Sequence, residues 1–480
     1  MSTSTRRTKI ISTLGPSTDD EKILKKLIQS GVNVFRLNFS HGTSQDHINR
    51  VKKIRLLEKD LNCFIAIIGD LQGPKIRISS FSMKKIFLKS GDNFLLDLNI
   101  SKKQGNERSV GINYINLPKE VSCNDILLLD DGKIQLRVLE TNMTQIFTEV
   151  IIGGYLSDHK GLNKLGGGLS ADALTKKDKE DIKLAAMIDV DYLAVSFPRS
   201  KTDLKNARLL MKKAGGKAKI IAKIERAEAV ASDKIMKDLI LESDVIMIAR
   251  GDLGVEIGDH QLIGVQKKLI KMTNSLNRAV ITATQMMESM ISNPFPTRAE
   301  VMDVANSVLD GTDAVMLSAE TASGNFPETT VRTMSKICLG AEKVSCINSF
   351  QNRLNKKFNS ISETISISAM YAANHFENIA AVVIILTSNK IALFASRIES
   401  SVPIFYISNS IKNLRLSALY KGVIPIFLQD IGTYEKSTKV VVQFLKNKKF
   451  LKKDDIIVVI KNGKENHSRL VNTCKIINIC

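Results

Sequence analysis

Apolar and polar positions follow two rhythms along this 480-residue chain. Short apolar runs of strand length end abruptly in polar residues, and each is trailed by apolar positions three and four apart, the spacing of a half-buried helix. Residues 9–15 read as a strand closing in Gly-Pro, and residues 19–30 as a helix with Ile23, Leu24, Leu27 and Ile28 on one face. A strand at 32–40, a helix at 44–60 and a strand at 64–71 follow. After an interruption the rhythm resumes with a capping-box pattern at Thr175 and Asp178. Five further strands, at 192–197, 220–225, 245–249, 279–285 and 314–320, each precede a helical pattern. Together with the first three they predict an α/β fold of the TIM (β/α)8 barrel type.

The interruption, residues 73–169, reads as β throughout, with strands at 75–79, 85–89, 93–98, 126–129, 134–139 and 145–152 and no helix. Asp131-Gly132 marks a hairpin. This predicts an inserted all-β barrel lid domain, leaving through a glycine-rich hinge at 159–168. An inserted lid that swings over a barrel mouth would exclude water from the chemistry beneath it. Past Glu342 the composition loosens into a linker at 348–360. A second alternation then begins: helix 362–376, strand 381–386, helix 390–398 and strand 402–407. It predicts a small C-terminal α/β doubly wound domain without a glycine-rich cofactor fingerprint, regulatory or assembly-related in role. The domain reading is therefore 1–72 with 170–346 for the barrel, 73–169 for the lid and 347–480 for the C-terminal unit.

Composition changes this picture little. The formal net charge of +20 invites a nucleic-acid-binding scaffold, but the lysines are spread along the whole chain and no recognition motif accompanies them. No apolar run is long enough to span a bilayer, and the start has no apolar leader core, so no membrane role and a cytoplasmic enzyme are expected. Cys63, Cys123, Cys338, Cys346, Cys474 and Cys480 form no metal-ligand spacing and read as reduced thiols. His41 and His47 read as a loop residue and a helix-surface residue.

The candidate chemistry lies at the strand ends. In Lys223-Ile224-Glu225 the two-residue period puts the ammonium and the carboxylate on one face. Asp252, after Arg250-Gly251, brings a second carboxylate to the end of the next strand. With no His or Cys beside them, these are oxygen ligands suited to Mg2+ or Mn2+, although a plain ion pair at a strand end fits Lys223 and Glu225 equally well. Arg36, Asn38 and Ser40 share a face in the second strand, Asp70 ends the third, and the pairs Thr282 with Thr284 and Ser318 with Glu320 read as further rim groups. In a TIM barrel such residues gather at one mouth.

The motifs RLNFSHG at 36–42, GDLQGPKIR at 69–77, LLLDDGKI at 127–134, AKIERAEAV, MIARGDLGVEIG, ITATQMMESM at 281–290 and NPFPTRAEVMDVANSVLDGTDAVMLSAETASG at 293–324, in that order, resemble those of pyruvate kinases, most closely the bacterial type II branch. The resemblance implies phosphoryl transfer from phosphoenolpyruvate to ADP, in a homotetramer answering to AMP or a sugar phosphate. It implies Arg36 as the phosphate-binding arginine and Lys223 as the cation that stabilises the transferring group and the enolate. Glu225 and Asp252 become the Mg2+ (or Mn2+) ligands. Gly251, Asp252 and Thr284 form the substrate-carboxylate site, with Thr284 near the carbon that gains a proton. Asn38, Arg77 and Lys160 become nucleotide contacts, and Asn38, Ser40, Asp70 and the Leu71 carbonyl a K+ site. Lys75 stands where K+-requiring members carry Glu, so its ammonium is expected to replace K+. The effector loop, Thr387-Ser388-Asn389-Lys390-Ile391, lacks the usual glycine, so weak phosphate binding is expected there. Two other readings stay open: a metal-dependent lyase or aldolase acting on phosphoenolpyruvate or pyruvate enolates, and the nucleic-acid-binding scaffold.

Overall fold

The structure, a computed structural model, describes residues 6–344, 357–358, 360–385, 388–465 and 469–479. The first strands are β1 (Lys9–Thr13), β2 (Val34–Asn38) and β3 (Ala66–Asp70). A run of shorter strands follows: β4 (Lys85–Leu88), β5 (Asn93–Asp97), β6 (Ser109–Gly111), β7 (Ile126–Leu129), β8 (Ile134–Thr141), β9 (Gln145–Ile152), β10 (Gly154–Ser157) and β11 (Leu162–Lys164). The alternation resumes with β12 (Tyr192–Val195), β13 (Lys219–Ile224), β14 (Val245–Ala249), β15 (Ala279–Ala283) and β16 (Ala314–Leu317). Last come β17 (Ile379–Ile385), β18 (Ile404–Ser408), β19 (Val423–Phe427), β20 (Ile456–Glu465) and β21 (Arg469–Asn478).

Among the described residues, eight strands close a parallel barrel in the order β1-β16-β15-β14-β13-β12-β3-β2. Closure covers the inner face of every strand and the surrounding helices the outer one, which is why these runs read as continuously apolar. Ile10, Phe35, Ile67, Leu193, Ile220, Ile246, Val280 and Val315 pack outward with the surrounding helices. Ile11, Ile68, Ala194, Ile221, Met247, Ile281 and Met316 belong to an inner cluster that continues into the C-terminal unit through Ile367, Met370, Ile391 and Tyr406. That unit is therefore seated at the N-terminal ends of the barrel strands. The Tyr192 hydroxyl donates to the Leu416 carbonyl (2.7 Å), and the buried Lys9 ammonium donates to the Val423 carbonyl (2.6 Å). The opposite rim, the C-terminal strand ends, stays open for a site.

The insertion forms a six-stranded sheet, β11-β7-β8-β9-β5-β6, with a separate β4–β10 pair. The Asp131-Gly132 hairpin is present between β7 and β8, with Asp130, Asp131 and Gly132 all at positive φ. Sequence patterning misjudged several details here. Residues 75–79 make only isolated bridges, Arg77 to Gly161 and Ile78 to Ile112, and no ladder. A one-turn helix, Leu117–Glu120, interrupts the β run. β6, β10 and β11 are too short to carry a period of two. β11 pairs with β7, so the expected hinge at 159–168 contains a strand, and its remainder is the glycine run Gly166–Gly168, with φ of 83°, 77° and 94°, tied to the barrel through the Glu256 carbonyl and the Glu228 carboxylate. His47 is buried, with its ring edge-on to Phe39 at 5.0 Å. A mean helical period does not show that contact.

The C-terminal unit has the sheet order β19-β18-β17-β20-β21, parallel except for the antiparallel β20–β21 pair, with helices Ile361–His375, Asn389–Ser396, Ile411–Ser417 and Ser437–Asn447 around it. The expected linker at 348–360 falls largely outside the described residues, as do Cys346, Cys480 and Thr387 of the effector loop. Ile391 of that loop is fully buried in the core.

Candidate active site

β12 lies between β3 and β13, and this spacing builds the centre of the site. Asp70 ends β3. Arg36 in β2 donates from Nε to Asp70 Oδ2 at 2.6 Å and from a terminal nitrogen to Thr13 Oγ1 at 3.2 Å. Lys223 in β13 stands 3.2 Å from Asp70 Oδ1 and 2.9 Å from Glu225 Oε1. Its ammonium donates to Ser196 Oγ at 2.7 Å, and Ser196 in turn donates to the Leu71 carbonyl at 2.7 Å. Glu225 Oε2 accepts from the Phe197 amide at 2.8 Å. A guanidinium, an ammonium and two carboxylates thus interlock in a nearly dry pocket, where unpaired charge would be costly.

The electrostatics follow from that packing. Burial acts to raise Asp70, but Lys223 and then Arg36 outweigh it and hold the carboxyl below its ordinary range. Burial acts to lower Lys223, and Asp70 and Glu225 more than reverse this. Glu225 is raised, first by burial and then, against the pull of Lys223, by the nearby Asp252 carboxylate.

Asp252 and Gly251 lie in the first turn of helix Arg250–Ile257, where N–H groups without a partner inside the helix and the helix dipole favour an anion. A methyl group at Gly251 would meet only Thr284, at 3.6 Å, so the space above it is open. Thr284 and Gln285, just past β15, have φ of 66° and 53°. Such backbone costs about 1–3 kcal/mol per residue, and for a β-branched residue such as Thr284 it is uncommon enough to call for a local cause. The Gly251 amide donates to Thr284 Oγ1 at 2.9 Å, and that hydroxyl donates to the Ala283 carbonyl at 2.7 Å. These residues line a cleft of about 510 Å3 that also takes in Lys75, Leu128, Asp131, Gln135 and Leu165, so it lies between the barrel mouth and the inserted β unit.

Two carboxylates with oxygen donors only suit a hard divalent cation. Among the described residues no cluster of three or more His, Cys, Asp or Glu side chains exists that would hold an ion unaided. The chain offers Glu225 and Asp252 and leaves the other positions to water or substrate, the habit of Mg2+. The upward push that Asp252 exerts on Glu225 is the repulsion such a cation relieves.

Other expected residues are placed differently. Lys75 Nζ lies 3.1 Å from Asp252 Oδ1, while Asp70, one of the four ligands it was expected to serve, pairs with Arg36 and Lys223 instead. Those ligands are engaged by the chain itself: Asn38 Oδ1 accepts from the Ser40 amide (3.1 Å), Leu71 O accepts from Ser196, and Asp70 holds Arg36 and Lys223. Arg77 donates to the His159 carbonyl (2.8 Å), and Lys160 pairs with Asp130 (2.8 Å), so both belong to the β insertion and to neither carboxylate cluster. Thr282 is fully buried and bonds Thr312, a core hydroxyl. Ser318 and Glu320 do not share a strand face, because β16 ends at Leu317 and the next residues turn helical. Glu320 folds back to accept from the Ser318 amide (2.7 Å) and the Met287 amide (3.3 Å), bracing loops. Ser196 and Arg250 were missed. A lone serine after a strand and an arginine beside a glycine carry no periodic signal.

A closed (β/α)8 barrel with a β insertion over its C-terminal mouth, and a charged cluster of this kind within that mouth, define a barrel enzyme equipped to bind an anionic substrate with a divalent cation. The comparisons are more specific. The family model for the pyruvate kinase barrel domain matches residues 5–331, and that for the pyruvate kinase alpha/beta domain matches residues 363–477. The chain is 58% identical over 463 residues to the pyruvate kinase of Haemophilus influenzae, covering 96% of this chain and 97% of that protein. It is 58% identical over 472 residues to the pyruvate kinase of Buchnera aphidicola subsp. Schizaphis graminum, covering 97% and 98%. It is 54% identical over 479 residues to pyruvate kinase II of Salmonella typhimurium, covering 100% of both. The chain belongs to the pyruvate kinase family. Membership sets aside the lyase or aldolase and the nucleic-acid scaffold. Among the described residues no helix is long and apolar enough to cross a membrane.

Proposed function

We propose that this chain transfers the phosphoryl group of phosphoenolpyruvate to ADP, giving pyruvate and ATP. The observation that carries the reading is the convergence of Arg36, Lys223 and Glu225 on Asp70 at the open end of the barrel. Phosphoryl transfer needs little covalent help from protein, so positioning and charge neutralisation do most of the work. The bond from phosphorus to the C2 oxygen breaks, a bond to a β-phosphate oxygen of ADP forms, and C3 then takes a proton.

Arg36 binds the phosphoryl oxygens, and Lys223, charged at neutral pH and directed by Ser196, stabilises both the group in flight and the enolate left behind. The amides of Gly251 and Asp252 with the Thr284 hydroxyl bind the substrate carboxylate, and Thr284 lies on the side from which C3 gains its proton. Glu225 and Asp252 are the residues that would hold Mg2+ or Mn2+, which when bound neutralises phosphoryl oxygens. Asn38, Arg77 and Lys160 meet the nucleotide phosphates. Residues 1–72 with 170–346 act as the catalytic domain, 73–169 as the lid and 347–480 as a regulatory or assembly domain of a cytoplasmic homotetramer that answers to AMP or a sugar phosphate. The burial of Ile391 supports a weakened phosphate loop.

The K+ question turns on charge. Asp70, Glu225 and Asp252 face Arg36, Lys223 and Lys75, so the ionised groups balance without a monovalent ion. Lys75 therefore supplies, from the Asp252 side, the charge that K+ would otherwise bring.

The test is pyruvate formation from phosphoenolpyruvate with and without ADP and Mg2+, with Lys223→Met as control. Dependence on both, lost in the variant, is expected; pyruvate released equally without ADP would overturn the reading.

A further inference from the structure

Thr284 and Gln285 keep a backbone conformation that side chains of their type avoid, so something must hold them there. One terminal nitrogen of Arg250 donates to the Thr284 carbonyl at 2.7 Å and to the Gln285 carbonyl at 3.2 Å. The other donates to Asp303 Oδ1 at 2.6 Å, in helix Arg298–Leu309. The side chain is 7% exposed, and its Nε makes no hydrogen bond, so the whole grip runs through the two terminal nitrogens. A planar fork holds the two carbonyls on one nitrogen and the carboxylate on the other, a separation that the single nitrogen of a lysine cannot span. The next residue, Gly251, donates its amide to Thr284 Oγ1 at 2.9 Å. One short segment thus fixes both the backbone and the hydroxyl of Thr284. None of the bonds made by Arg250 reaches Arg36, Asp70, Lys223 or Glu225.

Resting on the function proposed above, we propose that Arg250 is a positioning residue for the proton-transfer half of the reaction. Braced by Asp303, it holds the Thr284–Gln285 turn so that the Thr284 hydroxyl stays at the Gly251 amide, beside the carbon that is protonated. Loosening the grip slows proton transfer at C3 more than phosphoryl transfer at saturating substrate, because Arg36, Lys223 and Glu225, which meet the phosphoryl group, make no bond to Arg250, and the share of Thr284 in holding the substrate carboxylate shows in KM.

Two assays on the full-length protein with Mg2+ separate these steps. Single-turnover ATP formation from phosphoenolpyruvate and ADP reads phosphoryl transfer. Exchange of pyruvate methyl protons for deuterium in D2O with ATP present, followed by NMR, reads C–H breakage and re-formation at C3. Arg250→Lys is expected to lower exchange about tenfold or more and ATP formation by less than about threefold, in line with one charged hydrogen-bond set lost at a distance from phosphorus. Arg250→Lys in the Thr284→Ala background should lower exchange little further, since Arg250 acts through Thr284. If Arg250→Lys does not fold, Asp303→Asn, which leaves the guanidinium and loosens only its brace, reads the same split. Equal falls in both rates, or additive losses in the double variant, would overturn the proposal. A wild-type protein that forms no ATP would instead overturn the function on which it rests.

Discussion

Lys223 reaches past a whole barrel strand to Asp70, with its Nζ 3.2 Å from Oδ1, although β13 and β3 are not neighbours. The reach is possible because β12, between them, ends at Val195 and presents only the small side chain of Ser196. Gly73 closes over that serine so tightly that a methyl group on it would lie 2.8 Å from Ser196 Cβ. Lys223 is therefore aimed by three strands. Replacing it with Met should lower kcat by a factor of about a hundred to a thousand, the usual effect of removing one preorganised transition-state donor. Steady-state assays at saturating substrate check this. A loss seen only in KM would mean that Lys223 binds the substrate as strongly as the transition state and so does not speed the chemical step.

Ser196→Ala removes the hydroxyl that links the Lys223 ammonium to the Leu71 carbonyl. A bond to a charged partner contributes about 1.5–3 kcal/mol, so kcat should fall about tenfold or more while the fold survives. Threonine should not rescue it, because the added methyl group has Gly73 in its way. Comparing kcat for the two variants, with circular dichroism as a fold control, decides the point.

Much of this architecture is legible in the sequence. Lys223-Ile224-Glu225 shows its shared face because a strand keeps a strict period up to its last residue, and the apolar runs of the barrel are legible because closure buries one face of each strand and the helices the other. Ser318 and Glu320 were misread by the same rule, since the period was carried past Leu317 into helix. β6 and β11, at three residues each, are too short to show any period. Ser196 and Arg250 owe their roles to neighbours distant in the chain, which no local pattern records. The position of Lys75 is of the same kind: its charge is visible in the sequence, but its choice of Asp252 is not.

That choice gives a prediction about monovalent ions. The wild-type protein should keep most of its activity in buffer free of K+. Lys75→Glu changes the charge of the mouth by two and sets a carboxylate beside Asp252. This variant should lose activity about tenfold or more in K+-free buffer, because like charges a few ångströms apart repel by kcal/mol in a partly dry site. Added K+ should restore part of it. Titration of kcat against K+ at constant ionic strength is the measurement, and strong K+ stimulation of the wild type would contradict the charge balance proposed for Lys75.

Glu256 predicts a pH effect at the base of the lid. Burial pushes its carboxyl up to about 7, with Glu228 adding to the rise, against the Ala227 amide, Arg226 and the Asn163 amide. The folded chain therefore binds this proton more tightly than the unfolded chain, whose value is near 4.5. Its contribution to stability is fully present below pH of about 4.5 and is lost as pH rises through about 7, amounting to about 3 kcal/mol. Glu256→Gln should flatten that slope, because the amide can still accept from Ala227 while Asn163 turns to meet it. Urea unfolding of both proteins between pH 5 and pH 8, roughly the window in which the linkage acts, checks the difference. Parallel slopes would show that Glu256 does not titrate there.

The junction between the barrel and the C-terminal unit depends on Arg397 and Asp313, each only 1% exposed. Arg397 follows helix Asn389–Ser396 and forms a two-pronged pair with Asp313, one arm at 2.8 Å, while also donating to Asn274 Oδ1 and the Arg278 carbonyl, each at 2.7 Å. Breaking a buried pair from one side costs about 3–5 kcal/mol, so Arg397→Met should lower stability by that amount. Replacing both partners with apolar residues is often harmless elsewhere, but it should not be so here. Asp313 also accepts from the backbone amides of Val280 (2.9 Å) and Lys421 (3.0 Å), one on the barrel and one on the C-terminal unit. An apolar residue at 313 would strand both amides in the interior at about 1–3 kcal/mol each. The double variant Arg397→Met with Asp313→Leu should therefore remain destabilised, with the C-terminal unit loosening at lower denaturant than the barrel. Unfolding followed by hydrogen exchange in the two regions tests this, and a double variant as stable as the wild type would show that the pair does not hold the junction.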